Sequence, residues 1–293
     1  MPLADKSIGS RIFNVINYSL LILISIITIV PFMYIVAVSF ATPEEVAKGG
    51  LMLFPTKFTL GAYQYIFSTE TMIRSVMVSI GVTVVGTLIN LVLTSFMAYP
   101  LARPNLRGRS AVLFMVLFTM LFSGGMIPTY FVVKAFGMIN SYWSLIIPTA
   151  ISAFNLIVLK NFFQQIPEGL EESAKIDGCH DLGILFRIVL PLSMPAMATF
   201  GLFYAVSHWN TYFNAVMYIN DSEKWPVQIV LRQIVLLSQD MIGDSTAQAE
   251  PMEYLPQTIR MASIVVATIP IVIVYPFLQK YFAKGVMLGS VKG

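Results

Sequence analysis

Residues 167–191 read PEGLEESAKIDGCHDLGILFRIVLP and lie between two long runs that are poor in charge. The segment carries its own helix punctuation. Pro167 suits the first turn of a helix, where its missing N–H costs nothing. Glu168, Glu171 and Glu172 follow in or just after that turn and favour the helix dipole. Glu171 and Lys175 are spaced as an i,i+4 pair with the acid first. Gly178 is a natural C-terminal stop. Asp181 is placed to cap a second helix over 182–190, which Pro191 ends or bends. The spacing therefore predicts a short helix, a glycine turn and a second helix that feeds the next apolar run.

The flanking runs set the class. Of 293 residues, 57% are apolar and only 11% are charged. A soluble domain carries roughly 25% charged residues, so this chain is too poor in charge to cover a water-facing surface. Soluble enzymes, disordered chains and disulfide scaffolds are excluded. Cys179 is the single cysteine and cannot form an internal disulfide. A net charge of +3 gives no reason to expect nucleic acid. An integral membrane protein remains.

Six charge-free or nearly charge-free runs are long enough to cross a bilayer core, which takes about 20 apolar residues. They cover 18–40, 75–99, 111–133, 141–159, 195–219 and 261–279. In lipid such segments are helices, because no other partner exists for the backbone polar groups. The expected fold class is thus an all-α integral membrane protein with six transmembrane helices. The first run is too long for a signal-peptide core and reads as a retained span, kinked at Pro31. Loop 101–110 holds Arg103, Arg107 and Arg109 without an acid, and the C-terminal end holds Lys280, Lys284 and Lys292 without one. The positive-inside rule puts both in the cytoplasm, with both termini. Of the 18 Lys and Arg residues, 11 then lie inside and 7 outside. Three parts follow: 1–73, the first span and an external loop; 74–281, a five-helix core; and 282–293, a cytoplasmic tail.

The loop between spans four and five is cytoplasmic in this arrangement, and at about 30 residues it is longer than a plain connection. Helix pattern alone is equally that of an amphipathic helix at the membrane interface. The full string narrows the choice. Glu172-Ser173-Ala174, Asp177-Gly178, nine intervening residues, then Ile188-x-Leu190-Pro191 resembles the EAA loop of ABC importer permeases, with Ser173 standing where the family has alanine. Residues 201–221, with Ser207-His208-Trp209-Asn210 and Tyr212-Phe213-Asn214, resemble the fifth span of sugar permeases. Residues 275–293 resemble the C-terminus of the MalG-like carbohydrate permeases, in their LplC-like branch. The resemblance covers roughly residue 74 to the end.

It implies a type I importer permease, one half of a two-chain pore in the cytoplasmic membrane. The implied partners are a second homologous permease, two ABC ATPase subunits, an extracytoplasmic solute-binding protein, an oligosaccharide and membrane lipid. ATP and Mg would be held by the ATPase subunits, with no cofactor on this chain. The sequence fits that division, because it has no Gly-x4-Gly-Lys-[Ser/Thr] phosphate loop. The coupling residues implied are Glu172, Ser173, Ala174, Asp177, Gly178, Ile188, Leu190 and Pro191.

No catalytic or metal-binding constellation is expected. The chain has two histidines, His180 and His208, and no His-Glu-x-x-His string. Cys179 beside His180 reads as a thiol in a docking turn. His208 is deep in a span, where polar groups usually face the bundle interior or a water path. Asn210 and Asn214 are spaced to share a helix face, and Trp209 and Tyr212 are near neighbours. These five residues are the candidate substrate path; interhelical bonding with an aromatic belt is the other reading. Gly124-Gly125 with Pro128 marks a gate or a kink in span three. Two rival functions stay open: an ABC permease for a non-sugar solute, and a secondary transporter, although the spans lack charges for ion coupling.

Overall fold

The computed structural model describes residues 8–243 and 255–290, with side chains described at 8–236 and 257–276. Among the described residues the chain is helical, and its only β-pairing is an isolated bridge between Ala41 and Phe58. It divides into two compact units, Met1–Thr69 with Leu231–Thr268, and Glu70–Val230 with Ile269–Gly293.

In the first unit α1 runs Ile8–Ser39 and buries only Ala37, Val38 and Ser39. Such an exposed apolar helix suits lipid rather than water. Two short helices follow, α2 (Pro43–Ala47) and α3 (Gly61–Ser68). Helix α3 and the residues just before it are tied to the end of α1 at three points. Thr59 N donates to Phe40 O at 2.8 Å. The Ser39 and Tyr63 hydroxyls meet at 2.8 Å. The Phe40 ring stacks on Phe58 at 4.9 Å.

The second unit is built around α4 (Glu70–Ala102). In order come α5 (Arg109–Leu121), α6 (Met126–Ala135), α7 (Trp143–Ile146), α8 (Ala153–Phe163), α9 (Glu168–Ile176), α10 (Asp181–Ile184), α11 (Leu190–Leu192), α12 (Met194–Trp209) and α13 (Phe213–Tyr218). Helix α4 packs chiefly on α12 and α8. Leu156, Leu159 and Phe163 of α8 join Ile184, Leu185, Val189 and Phe200 in the buried cluster beneath the α9–α10 segment. The chain continues into α14 (Val227–Gly243) and α15 (Leu255–Ser290). The run after Pro226 is thus helical. Helix α15 runs through most of the segment read as a tail; residues 291–293 lie outside the described residues.

Among the described residues, three helices are long and apolar enough to cross a membrane unbroken: Ile8–Ser39, Glu70–Ala102 and Gln257–Pro276. Expected spans three and four are bent pairs. Span three turns by 120° between α5 and α6. Gly125 has φ 84 there, a backbone that only glycine adopts freely, so the glycine pair makes a turn too sharp for a kink. Span four bends by 54° before α8, where the Ser152 side chain accepts from Asn155 N and caps the new helix. Span five does not continue over 195–219: α12 stops at Trp209 and α13 begins at Phe213.

Candidate functional site

The α9 segment is a structured element. Pro167 is the residue before the helix rather than in its first turn, and Glu168 opens α9. Asp177 ends it and Gly178 follows at φ 81. Gly178 N donates to Lys175 O at 3.0 Å and Cys179 N to Ala174 O at 2.9 Å. These two bonds form a Schellman motif, which reverses the chain and satisfies the last carbonyls. Gly183 tightens the return, because a Cβ there would lie 2.7 Å from Cys179 Sγ.

Helix α9 has two faces. Glu171 and Ala174 are buried. Glu171 does not pair with Lys175 as its spacing suggested; it forms an ion pair with Arg103, one residue past α4. The Arg103 guanidinium also lies 4.8 Å from the Tyr99 ring centroid. Lys175 instead pairs with Asp181 at 3.4 Å. Burial explains the exchange: a carboxylate held against the bundle needs a partner from the bundle, while a solvated lysine can take any nearby acid. The opposite face presents Glu172, Ser173, Asp177 and Gly178 to the exterior. Ser173 Oγ donates to Gly169 O at 2.8 Å, so the hydroxyl that replaces the family's alanine is satisfied within its own helix. Ile176 is 87% exposed on this face, a costly placement for an isoleucine unless something covers it.

Asp181 does not cap the second helix. His180 occupies that position in extended backbone, and Asp181 is the first helical residue. Residues Leu185–Val189 then form a π-helical turn ahead of α11. Pro191 has no N–H for the carbonyl four residues back and its ring would press on it, and a widened turn relieves both. Ile188 and Leu190 are half-buried here and Pro191 is exposed. The segment Asp181–Leu192 meets α12 at 86°.

The candidate path residues do not form one face. Helix α12 ends at Trp209 with Asn210 as its C-cap, and Asn214 belongs to α13, so the expected i,i+4 alignment is interrupted by the break. Asn210 is exposed, Tyr212 and Asn214 are half-buried and Trp209 is buried. His208 is 4% exposed and packs against α4. Asn90 Nδ2 donates to His208 Nε2 at 3.1 Å, the arrangement of a neutral imidazole protonated at Nδ1, and also to Thr149 O at 3.3 Å. Gly86 makes room: a Cβ there would lie 2.6 Å from His208 Nε2.

One turn further along, the Thr94 and Tyr204 hydroxyls meet at 2.8 Å, and Ser152 N donates to Tyr204 Oη at 3.1 Å. This polar seam fastens α4 to α12 and to the break before α8. Sequence reasoning found His208 but missed the seam. Its signal is the spacing of Gly86, Asn90 and Thr94 at four-residue steps within an apolar run. No cluster of three or more metal-ligating side chains exists among the described residues.

A family model described as "Binding-protein-dependent transport system inner membrane component" matches residues 7–288. The chain is 58% identical over 284 residues to the polygalacturonan/rhamnogalacturonan transport system permease protein YtcP of Bacillus subtilis (strain 168), covering 97% of this chain and 99% of that one. It is 57% identical to the protein LplC of the same strain, covering 97% and 96%. A crystal structure of a bacterial ABC transporter that imports the acidic polysaccharide alginate aligns with TM-score 0.86 and 32% identity, over 96% of this chain and 100% of that one.

Proposed function

We propose, from the premise that this chain belongs to the family of binding-protein-dependent transport system inner membrane components, that it is one half of the pore of an ATP-driven importer of acidic oligosaccharides. The observation that carries the reading is the 58% identity, over nearly the whole of both chains, to a permease named for polygalacturonan and rhamnogalacturonan. Both are rich in uronic acid. The likeness to an alginate importer points to the same chemical class.

In this reading the chain pairs with a second permease, both termini are cytoplasmic, and an external solute-binding protein delivers the sugar. The chain is a permease component and not an enzyme; ATP and Mg are bound and used by two ATPase subunits. The exposed face of α9, with Glu172, Ser173, Ile176 and Asp177, enters a cleft on one of them. Gly178 returns the chain so that the push on α9 passes to the α10–α11 segment. Ile188, Leu190 and Pro191 set the angle at which that segment meets α12. The polar seam then carries α12, α4 and the start of α8 as one body, and alternating access follows. Trp209, Asn210, Tyr212 and Asn214 lie where the α12–α13 break opens the span, which suits aromatic and amide contacts to a pyranose. His208 supports that break through α4.

The test is ATPase activity of the assembled complex with its binding protein. Oligogalacturonides should stimulate it, neutral oligosaccharides should do so weakly, and amino acids should have no effect. Stimulation by an amino acid with none by any sugar overturns the reading.

A further inference from the structure

We propose that the ends of α5 and α8 form a binding site for an anionic phospholipid headgroup, with Arg109 and Lys160 as its cations. Helices α5 and α8 pack together. Arg109, in the first turn of α5, and Lys160, in the last turn of α8, are both half-buried. Val112 and Leu113, in the turn after Arg109, pack against the cluster that holds Leu159 and Phe163, which flank Lys160, so the two cations lie at the same end of the helix pair and carry the same sign. Among the described residues no carboxylate lies within ion-pair distance of either, although six other ion pairs form in the chain.

Two like charges held together and partly withdrawn from water repel each other and lack the compensation that such burial ordinarily requires. An anion between them removes both costs. Arg109 is also pre-positioned: its Nε donates to Leu101 O at 2.9 Å, which fixes the plane of the guanidinium while its terminal nitrogens make no ion pair.

The site commits to a lipid rather than a free anion because of what lies further along α5. Leu117 and Met120, 47% and 53% exposed, follow within about a quarter turn of Arg109 around the helix. A headgroup phosphate on the two cations would leave its acyl chain to run along that apolar stripe. Basic pockets between transmembrane helices on the cytoplasmic side bind anionic lipid headgroups in this way. The inference rests on the chain spanning a membrane and not on the identity of the transported sugar.

The assembled importer, purified in mild detergent, is to be examined by native mass spectrometry with phosphatidylglycerol and phosphatidylcholine as probes. The wild type should retain phosphatidylglycerol in preference. The double substitution Arg109→Gln with Lys160→Gln should weaken that retention about 30-fold, the loss of two near-surface cations at about fivefold each. The charge-keeping pair Arg109→Lys with Lys160→Arg should retain the lipid, which separates a binding effect from misfolding. Lys134→Gln, on α6, should leave retention unchanged. Equal retention by the double glutamine variant overturns the proposal. So does displacement of the lipid by millimolar inorganic phosphate, which makes the site one for free anions, or a crosslink from Lys160 to a carboxylate of a partner subunit. Lipid retention is read without transport, so an importer that ignores oligouronides leaves this result interpretable.

Discussion

Arg103 and Glu171, 68 residues apart in the chain, form an ion pair that fastens α9 to the end of α4. Their side chains are 23% and 8% exposed, so the pair is largely withdrawn from solvent. Its net contribution to stability is small, because desolvation offsets attraction, but removal of one partner strands the other. Glu171→Ala or Arg103→Ala should each destabilise the second unit by about 2–3 kcal/mol, at the lower end for a buried pair because Arg103 keeps some solvent contact. If α9 docks on an ATPase subunit as proposed, the larger effect should be on coupling: a loosened α9 still reaches that subunit, but its motion no longer reaches α4. Uptake per ATP hydrolysed should fall several-fold in each variant, with partial recovery in the exchanged pair Arg103→Glu with Glu171→Arg. An unchanged ratio in the single variants shows that the pair is structural only.

Gly178 holds φ 81 with nothing within 4 Å of where a Cβ would sit, so its requirement is conformational and not steric crowding. Gly178→Ala should cost about 1 kcal/mol, the penalty for a left-handed backbone, and Gly178→Pro should abolish the turn because proline cannot adopt that φ. Glu172→Lys acts differently: the residue is exposed, and charge reversal changes the docking face without touching the core. Both Gly178→Pro and Glu172→Lys should insert into the membrane normally and hydrolyse ATP without uptake. Wild-type uptake in both removes the loop from the coupling pathway.

Much of this arrangement is legible in the amino-acid sequence, for a physical reason. Lipid admits only helices and closed β-barrels, and charge-free runs of about 20 apolar residues fit the helix, so they mark the apolar segments directly. The breaks are less legible: Gly124-Gly125 and the stretch before Asn155 barely lower the mean hydropathy of their runs, and the polar Asn210–Tyr212 sits inside a run whose length still reads as one span. Gly178 is visible as a turn because its neighbours are polar and helix-forming. The Arg103–Glu171 pair is invisible, since local spacing favours Lys175 for Glu171 and only packing brings Arg103 to it. The seam at Asn90 lies between. Its four-residue period can be read, but its partners His208 and Thr149 require the fold.

The segment after α1 carries a pH-sensitive tie. The Glu45 carboxylate accepts from Thr56 N and Thr56 Oγ1 at 2.7 Å each and from Lys57 N at 3.2 Å. Those bonds, the Thr56 amide first, hold its pKa below the usual carboxylate value. A depressed pKa means that the tie is fully present above the ordinary carboxylate range and is lost as pH falls through the lowered value. Hydrogen exchange of the Thr56 and Lys57 amides should therefore be slow at neutral pH and speed up in acid beyond the intrinsic change. Glu45→Gln should exchange faster at neutral pH and lose that extra acid sensitivity. The same acid response in the variant assigns it to another group.

Gly86 and His208 provide the most stringent check on the seam. A methyl at Gly86 would lie 2.6 Å from His208 Nε2 and 2.8 Å from Cδ2 and Cε1, closer than van der Waals contact allows. The imidazole cannot swing away without giving up its bond from Asn90, and Asn90 Oδ1 is already buried without a partner. Gly86→Ala should therefore destabilise the α4–α12 contact by about 1–3 kcal/mol, the range for an overpacked interior. His208→Ala removes the clashing ring, and Gly86→Ala in that background should cost far less. The coupling energy between the two sites, read from thermal unfolding of all four proteins in detergent, should be at least about 1 kcal/mol. Uptake should follow the same pattern if α4 and α12 move as one body: lowered in Gly86→Ala and partly restored in the double variant. Additive stabilities show that the ring yields without consequence and that the seam does not hold the two helices together.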